Sequence, residues 1–411
     1  MSDARKIVIV GCGPAAVGAA MAARNQDKSA EVLMLSDEDC EPYEKPPLSK
    51  AVLTGKAMPQ DALIAGPAGV AGKGIALKFN ARVKEIDRGA KAVTTEAGER
   101  IPYDALVLAT GSVNRVLPMF PAGQKGIHYL RTRAEALALK AELAASKSLL
   151  VIGGGVVGLE IASSAAEVGV RTTVMEIAPR ILARVCDEET SALIHERHRR
   201  AGVDIRLATG STALRPLPEG GFEIDTNTGI AISADLIAVG VGIVPEDHLA
   251  KAAGLVVQDG ILVDAHCRTS DPAIFAAGDC TRFPGPQGPI RLENWRHAQQ
   301  QGSVAGRNAA GGDQTYAMLP SYWSEQYDMY IQGMGWPIPH PTGRERVRRK
   351  LGDNATLLFE LDGSAIAYVL GINAQREMGP ARRLIEQRVP VDAAELADPT
   401  KPLNAMLKAK V

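Results

Sequence analysis

A short apolar strand, a glycine-rich turn, a small-residue helix and a second strand follow one another twice in this chain. Lys6-Ile-Val-Ile-Val10 is continuous and β-branched, the pattern of a buried parallel strand. Gly11-Cys-Gly13-Pro-Ala15-Ala16 follows, then small residues through Ala23, then the strand Glu31–Leu35, which ends at Ser36-Asp37. The second copy is Leu149-Leu-Val-Ile152, then Gly153-Gly-Gly155-Val156-Val157-Gly158. A helix to about Val168 and the strand Arg171–Met175, closed by Glu176, complete it. In each copy the first glycine permits a tight turn and the second lets backbone approach a pyrophosphate. The third small residue, Ala16 or Gly158, allows the helix to lie close on the strand. The helix N-terminus then offers free N–H groups and a positive dipole end to the phosphates. The class is therefore α/β, with two Rossmann-like dinucleotide-binding domains.

A length of 411 residues suits two to three domains, at roughly 150 residues per domain. Lys+Arg 46 against Asp+Glu 47 leaves a net charge of −1, so no global basic excess points to nucleic acid or an anionic membrane. The cysteines Cys12, Cys40, Cys186, Cys267 and Cys280 are scattered, with no CxxC or Cys/His cluster. A metal site or a disulfide framework is not expected, and a reduced cytoplasm fits best. Arg5 and Lys6 precede an uncharged run, Ile7 to Ala23, that imitates a secretory signal. Gly11, Gly13 and Pro14 interrupt it, and a signal peptide would not be repeated mid-chain. No run reaches the ~18 apolar residues of a membrane span. No Ser/His/Asp ordering, HExxH or Walker-type loop is present. His195 and His198 are three apart on a predicted helix without further ligands nearby, and a helical surface is their expected home.

The two copies take different ligands. The first stands at the usual FAD position of two-dinucleotide flavoproteins. Two later strands support that assignment: Leu106-Val-Leu-Ala109-Thr110-Gly111, and Thr269 to Gly278-Asp279. The alternative for Asp279 is a helix N-cap. In the second copy Glu176 can accept hydrogen bonds from a ribose 2′-OH. A 2′-phosphate beside it would place like charges together, each at ~4 Å costing roughly 4 kcal/mol at an effective dielectric of about 20. Even a quarter of that disfavours NADPH several-fold to tenfold. No arginine pair follows; Arg180 comes four residues later. The coenzyme read from the sequence is NADH.

Together with Pro42-Tyr-Glu-Lys-Pro-Pro-Leu-Ser-Lys50, Tyr129-Leu-Arg-Thr132, Gly153 to Glu160, Arg291-Leu-Glu-Asn-Trp295 and Tyr322-Trp-Ser-Glu-Gln-Tyr327, these motifs form a pattern. Over essentially its whole length the chain resembles the FAD-dependent ferredoxin reductases of bacterial oxygenase systems, the group of putidaredoxin, biphenyl dioxygenase and rubredoxin reductases, with more distant similarity to apoptosis-inducing factor. The resemblance implies a glutathione reductase-like flavoprotein with a C-terminal α+β interface domain. It implies that Ala15, Asp37, Lys50, Val83, Arg131, Asp279 and Trp295 line the FAD, with Asp279 on the ribityl chain. It implies further that Lys50 pairs with Glu160 near the flavin and that Trp323 sits close to the isoalloxazine. Lys45 stands where arginine is commoner, which weakens a bidentate phosphate contact. His297 stands where asparagine is commoner.

Pro46-Pro47 stiffen the segment before Lys50, which sets that lysine apart from an ordinary surface one. Glu160, early in the second dinucleotide helix, could instead be an acid favoured by the helix dipole. The relatives that use a thiol place it where this chain has Lys50; Cys40 is the nearest alternative. The implied domains are 1–114 with 245–315 for FAD, 115–244 for NADH, and 316–411 for the interface. Leu236 to Pro245 reads as the strand returning to the first domain, with Gly242 near the nicotinamide. Pro380 to Gln387 reads as a basic helix with proline in its first turn. Arg344, Arg346, Arg348, Arg349, Lys350, Arg376, Arg382, Arg383 and Arg388, with Arg296 and Arg307, are candidates for docking an acidic partner.

The implied function is an NADH:ferredoxin reductase. FAD accepts hydride from NADH and passes single electrons to a [2Fe–2S] ferredoxin, which serves a haem-thiolate monooxygenase or a ring-hydroxylating dioxygenase. The protein would be a monomer or weak dimer, without membrane or nucleic-acid partners. The alternatives are an NADH oxidase or peroxidase working through Cys40, and a non-catalytic, NAD-responsive protein like apoptosis-inducing factor.

Overall fold

The computed structural model describes residues 4–336 and 345–407. The chain packs as two units. One is Met1–Leu48, Ala57–Arg115 and Gly242–Met318; the other is Ser49–Lys56, Val116–Val241 and Leu319–Val411.

The first unit is built on a parallel sheet in which Lys6–Val10 lies between Glu31–Leu35 and Ala105–Leu108, with Ala76–Lys78 and Ile274–Ala276 at the two edges. Ile7, Ile9 and Leu106 are fully buried, as expected of a strand covered on both faces. The first dinucleotide helix, Pro14–Gln26, packs beside helix Trp295–Ala309 so closely that no Cβ fits at three of their glycines. A Cβ on Gly306 would stand 1.9 Å from the Ala19 carbonyl oxygen, one on Gly302 2.1 Å from that of Ala15, and one on Gly18 2.4 Å from that of Gln299. The core of this unit is accordingly small-residue: Ala15, Ala16, Ala19, Ala20, Ala23, Ala298, Ala305 and Ala309 are buried together.

The second unit repeats the parallel plan. Ser148–Ile152 lies between Arg171–Met175 and Leu236–Val239, flanked by Asp204–Arg206 and Ile127–His128. Its dinucleotide helix is Val156–Glu167. Residues 321–407 add a five-stranded antiparallel sheet, in which Met329–Gly335 joins Ser321–Gln326 to Ala365–Ile372, and Thr356–Asp362 joins that strand to Glu345–Lys350. Helix Gln375–Glu386 covers it with Met378, Ala381, Leu384 and Ile385.

Two sequence expectations are corrected here. The helix expected from Pro380 begins at Gln375, so the proline sits in its second turn rather than its first. The single strand expected over Leu236–Pro245 is two strands, Leu236–Val239 and Ile243–Pro245, split at Gly242, whose φ of +104° breaks the extended run. Among the described residues no helix is long and apolar enough to cross a membrane.

Candidate functional site

Both glycine turns have the geometry that a phosphate-binding loop needs. Gly11 has φ +122° and Gly153 φ +106°, values closed to most side chains. A Cβ on Gly11 would fall 2.2 Å from the Ala109 carbonyl oxygen, and one on Gly153 2.5 Å from that of Gly240. The helices begin at Gly13 and Gly155, without a side-chain cap and without an acid in the first turn. A Cβ at either glycine would meet nothing within 4 Å. Each turn therefore presents uncapped N–H groups and a positive dipole end to open space, which suits an anion.

Around the first turn, Asp279 is nearly buried and accepts a hydrogen bond from Ser112 Oγ at 3.0 Å. It precedes the strand Thr281–Gly285, not a helix, so the N-cap alternative falls. Gly278 lies beside it with its N–H held by Gln301 Oε1 at 2.8 Å. Thr110 Oγ1 donates to the Glu246 carbonyl at 2.5 Å, fixing the Ala109-Thr110-Gly111 turn. Lys45 is 3.9 Å from Glu38 and lies over the Tyr43 ring. Asp37 is exposed, while Val83 and Trp295 are half-buried. His297 is fully buried, stacked on Phe283 at 4.8 Å, with Nδ1 2.6 Å from the Tyr316 hydroxyl; burial pushes its imidazole down to about 4.

In the second unit Glu176 reaches back across its turn. Its carboxylate accepts from the Gly154 N–H at 2.6 Å and the Ala178 N–H at 2.7 Å. Arg180 gives its guanidinium to the carbonyls of Cys186 (2.7 Å) and Ala183 (3.0 Å), which takes it away from a 2′-phosphate. The apolar side chain next to this acid in the chain, Ile177, stays 77% exposed.

Lys50 and Glu160, 110 residues apart, meet in this unit. Lys50 Nζ lies 3.2 Å from Glu160 Oε1. The carboxylate is 5% exposed and also accepts from Ser49 Oγ (2.5 Å) and Ser324 Oγ (2.7 Å). Ser164, one turn further along the helix, donates to the Ser49 carbonyl at 2.7 Å and so pins the Lys50 segment. The charge at Glu160 is thus paired and hydrogen-bonded, as a buried carboxylate requires. Trp323 and Arg131 are half-buried in the same unit. Gly242, expected near the nicotinamide, belongs to the first.

A family described as pyridine nucleotide-disulphide oxidoreductase matches residues 5–302, and the reductase C-terminal family matches 321–407. The chain belongs to the pyridine nucleotide-disulphide oxidoreductase family. This oxidoreductase is 40% identical to the ferredoxin–NAD(+) reductase component of an anthranilate 1,2-dioxygenase system from Burkholderia cepacia, over 98% of this chain and 100% of that one. Putidaredoxin reductase of Pseudomonas putida is 34% identical over 98% and 97%. Among solved structures, the covalent putidaredoxin reductase–putidaredoxin complex matches with a TM-score of 0.92 at 32% identity, covering 98% of each chain. The ferredoxin reductase for the CYP199A2 system of Rhodopseudomonas palustris matches with 0.91 at 30%, covering 99% of this chain and 100% of that one. FAD and NAD(H) are the cofactors of this family, and the two uncapped turns, open above Gly13 and Gly155, fit two pyrophosphates.

The site holds residues that sequence reasoning passed over. Ser49, Ser164, Ser324 and Gln326 all bear on Glu160 directly or through one neighbour. Three of them, Ser49, Ser324 and Gln326, sit inside segments already singled out, Pro42–Lys50 and Tyr322–Tyr327, but nothing in either segment names a partner. His198 corrects the expectation of a helical surface: it is fully buried and bonded on both nitrogens.

The basic cluster is also corrected. Arg349 is 1% exposed and donates to the carbonyls of Leu396, Asp398, Pro399 and Lys401, so it is a clamp on the C-terminal loop. Arg348 pairs with Glu189 (2.9 Å) and Asp187 (3.7 Å), Arg346 with Glu360, and Arg382 with Glu386, while Arg383 bonds Asn404. Lys350, Arg376 and Arg388 are exposed, as are Arg296 and Arg307 in the first unit; Arg344 lies outside the described residues.

Proposed function

We propose that the chain is an NADH:ferredoxin reductase serving an oxygenase. The observation that carries this reading is the Lys50–Glu160 pair, a salt bridge at the position where thiol-using relatives would place a cysteine. All five cysteines are free thiols. Burial pushes Cys12 and Cys186 up to about 12, far from a reactive thiolate. A chain with a held cation at that place and no thiol relay suits electron transfer rather than disulfide or peroxide chemistry.

The residues then divide the work. Gly11, Gly13, Ala15, Ala16 and the first helix N-terminus hold the FAD pyrophosphate, and Asp279 takes the ribityl hydroxyls. Asp37, Lys45, Val83, Ala109, Thr110, Gly111, Gly278, Trp295 and Arg131 complete that site. Gly153, Gly155, Val156, Val157 and Gly158 receive the NADH pyrophosphate, and Gly242 the nicotinamide. Glu176, already aimed by two backbone N–H groups, exchanges one of them for ribose hydroxyls and repels a 2′-phosphate. The flavin, when bound, takes a hydride from NADH and releases its electrons singly. Lys50 supplies fixed positive charge there, Glu160 keeps that lysine in place, and Trp323 shields the ring. Segments 1–114 with 245–315, 115–244 and 316–411 are the FAD, NADH and interface domains.

The anthranilate relative is the ferredoxin–NAD(+) reductase component of a dioxygenase system, which suggests a ferredoxin, here taken as [2Fe–2S], as acceptor, and five free thiols suit the cytoplasm as location. Of the basic candidates, the exposed Lys350, Arg376, Arg388, Arg296 and Arg307 are the ones suited to steering an acidic partner. Stopped-flow mixing tests the reading. NADH should reduce the flavin at least several-fold faster than NADPH, and the reduced protein should then reduce a [2Fe–2S] ferredoxin. Equal rates with the two coenzymes, or a reduced enzyme that passes electrons to peroxide and to no ferredoxin, would overturn it.

A further inference from the structure

Glu160 is the end of a buried chain of hydrogen bonds that crosses three further residues. Ser324 Oγ donates to Glu160 Oε1 at 2.7 Å, and Gln326 Nε2 donates to Ser324 Oγ at 3.1 Å. His198 Nε2 lies 2.9 Å from Gln326 Oε1, and the Tyr327 hydroxyl lies 3.1 Å from His198 Nδ1. Ser324, Gln326 and His198 are 2%, 1% and 0% exposed. No water reaches them to substitute for a lost partner, so each broken link leaves an unsatisfied polar group.

Glu160 sets the direction of every bond. A carboxylate only accepts, so the single hydrogen of Ser324 goes to it and the serine oxygen is left to accept. Gln326 must then turn its amide nitrogen to Ser324 and its carbonyl to His198. His198 must carry its proton on Nε2, and the bare Nδ1 takes the hydrogen of Tyr327. All four hydrogens point toward Glu160. The amide in the middle makes this an orienting chain and not a proton path. The outer end is fastened as well: Arg197 pairs with Asp328 at 2.6 Å and lies over the Tyr327 ring at 4.2 Å. Besides Gln326 and Tyr327, the groups close to His198 are Arg197 and His195 of its own helix, and burial pushes the imidazole down to about 4, so its neutral form and its direction persist across the physiological range.

We propose that His198 is a positioning residue for hydride transfer: through Gln326 and Ser324 it fixes the Glu160 carboxylate in the orientation that pairs with Lys50. This rests on the proposed reading of Lys50 as the fixed positive charge at the flavin and of Glu160 as the group that keeps that lysine in place. A residue some four hydrogen bonds from the chemistry thus governs it, by holding the geometry of a group that touches it.

Nitrogen-15 NMR of histidine-labelled, flavin-loaded protein reads the chain without turnover, with the His198 signals assigned by their loss in His198→Gln. The ring should be neutral and protonated at Nε2 from about pH 8 down to about pH 5.5. Glu160→Ala, which touches no atom of His198, should move both ring resonances. In stopped flow, His198→Phe keeps an aromatic ring, somewhat larger, and removes both nitrogens; NADH reduction should slow about tenfold in the limiting rate, with a smaller change in KM. His198→Gln, whose amide nitrogen can stand in for Nε2, should recover to within about twofold of the natural rate. Should His198→Phe not fold, Ser324→Ala cuts the same chain and should show the same loss. A ring protonated at Nδ1, resonances blind to Glu160→Ala, or a cut chain that reduces at the natural rate each overturns the proposal. A natural protein that binds flavin yet is not reduced by NADH sinks the hydride-transfer reading instead, and the resonances still judge the chain.

Discussion

The two glycine turns share a backbone and differ in what stands behind them. Behind the first, helix Pro14–Gln26 is sealed against helix Trp295–Ala309 by backbone-to-backbone contact at Gly302 and Gly306, with alanines filling the rest. Behind the second, helix Val156–Glu167 carries a buried carboxylate, Glu160, tied into serines, a lysine and a glutamine. The acid that follows the second strand differs too. Asp37 stands exposed, whereas Glu176 is drawn back onto its own turn. One fold thus serves two ends. A rigid apolar seam suits a cofactor that stays, and a buried, directed polar network suits a coenzyme that comes and goes and must be held in one orientation when it arrives.

The sharpest way to break the first half is Gly306→Val. The clash is with backbone, at 1.9 Å for the first added carbon, so no rotamer relieves it. We expect a loss of ~3 kcal/mol or more and a protein that cannot retain FAD, read as flavin bound per chain after gel filtration. A fully loaded Gly306→Val would show that the seam is not what holds the first turn.

The second half is sharpened by Glu176→Gln. Removing the charge while keeping the shape should raise NADPH use relative to NADH by several-fold to tenfold, read as the ratio of kcat/KM. Arg180, engaged with the Cys186 and Ala183 carbonyls, should not rescue NADPH further. An unchanged ratio would remove Glu176 as the discriminating group.

A smaller effect concerns acid. His198 and His297, one in each unit, are buried neutral with ring pKa values of about 4. An unfolded histidine titrates near ~6.5, so the unfolded chain binds more protons below that pH. The stability these rings contribute is present above about pH 6.5 and is lost as pH falls toward about 4, at up to ~1.4 kcal/mol per pH unit for each ring. The fall in Tm over that window should shrink in His198→Gln. A Tm that stays flat from pH 7 to pH 5 would contradict it.

What the sequence made legible were local patterns with a backbone reason. The strands around both turns, the glycines and Glu176 all lie in segments where residue type and spacing carry chemistry, whereas the Lys50–Glu160 pair, 110 residues apart, was implied only by the family resemblance. What stayed hidden depended on distant partners. His198 is buried because Gln326 and Tyr327, some 128 residues on, wrap it, and a helix pattern cannot reveal that. Arg349 looked like one of a basic run, yet strand alternation turns it inward with Val347, where carbonyls of a later loop receive it. The seam behind the first turn was within reach: Gly302 and Gly306 stand one helical turn apart, the spacing at which two backbones can meet.

We proposed that NADH held at the second turn reduces the flavin held at the first without a thiol relay, and an anaerobic titration of the flavin-loaded protein with NADH measures that directly. One equivalent of NADH per flavin should complete the reduction, with the same endpoint after the accessible cysteines have been alkylated. A requirement for two equivalents, or an endpoint that falls on alkylation, would reveal a thiol or disulfide taking electrons and would contradict it.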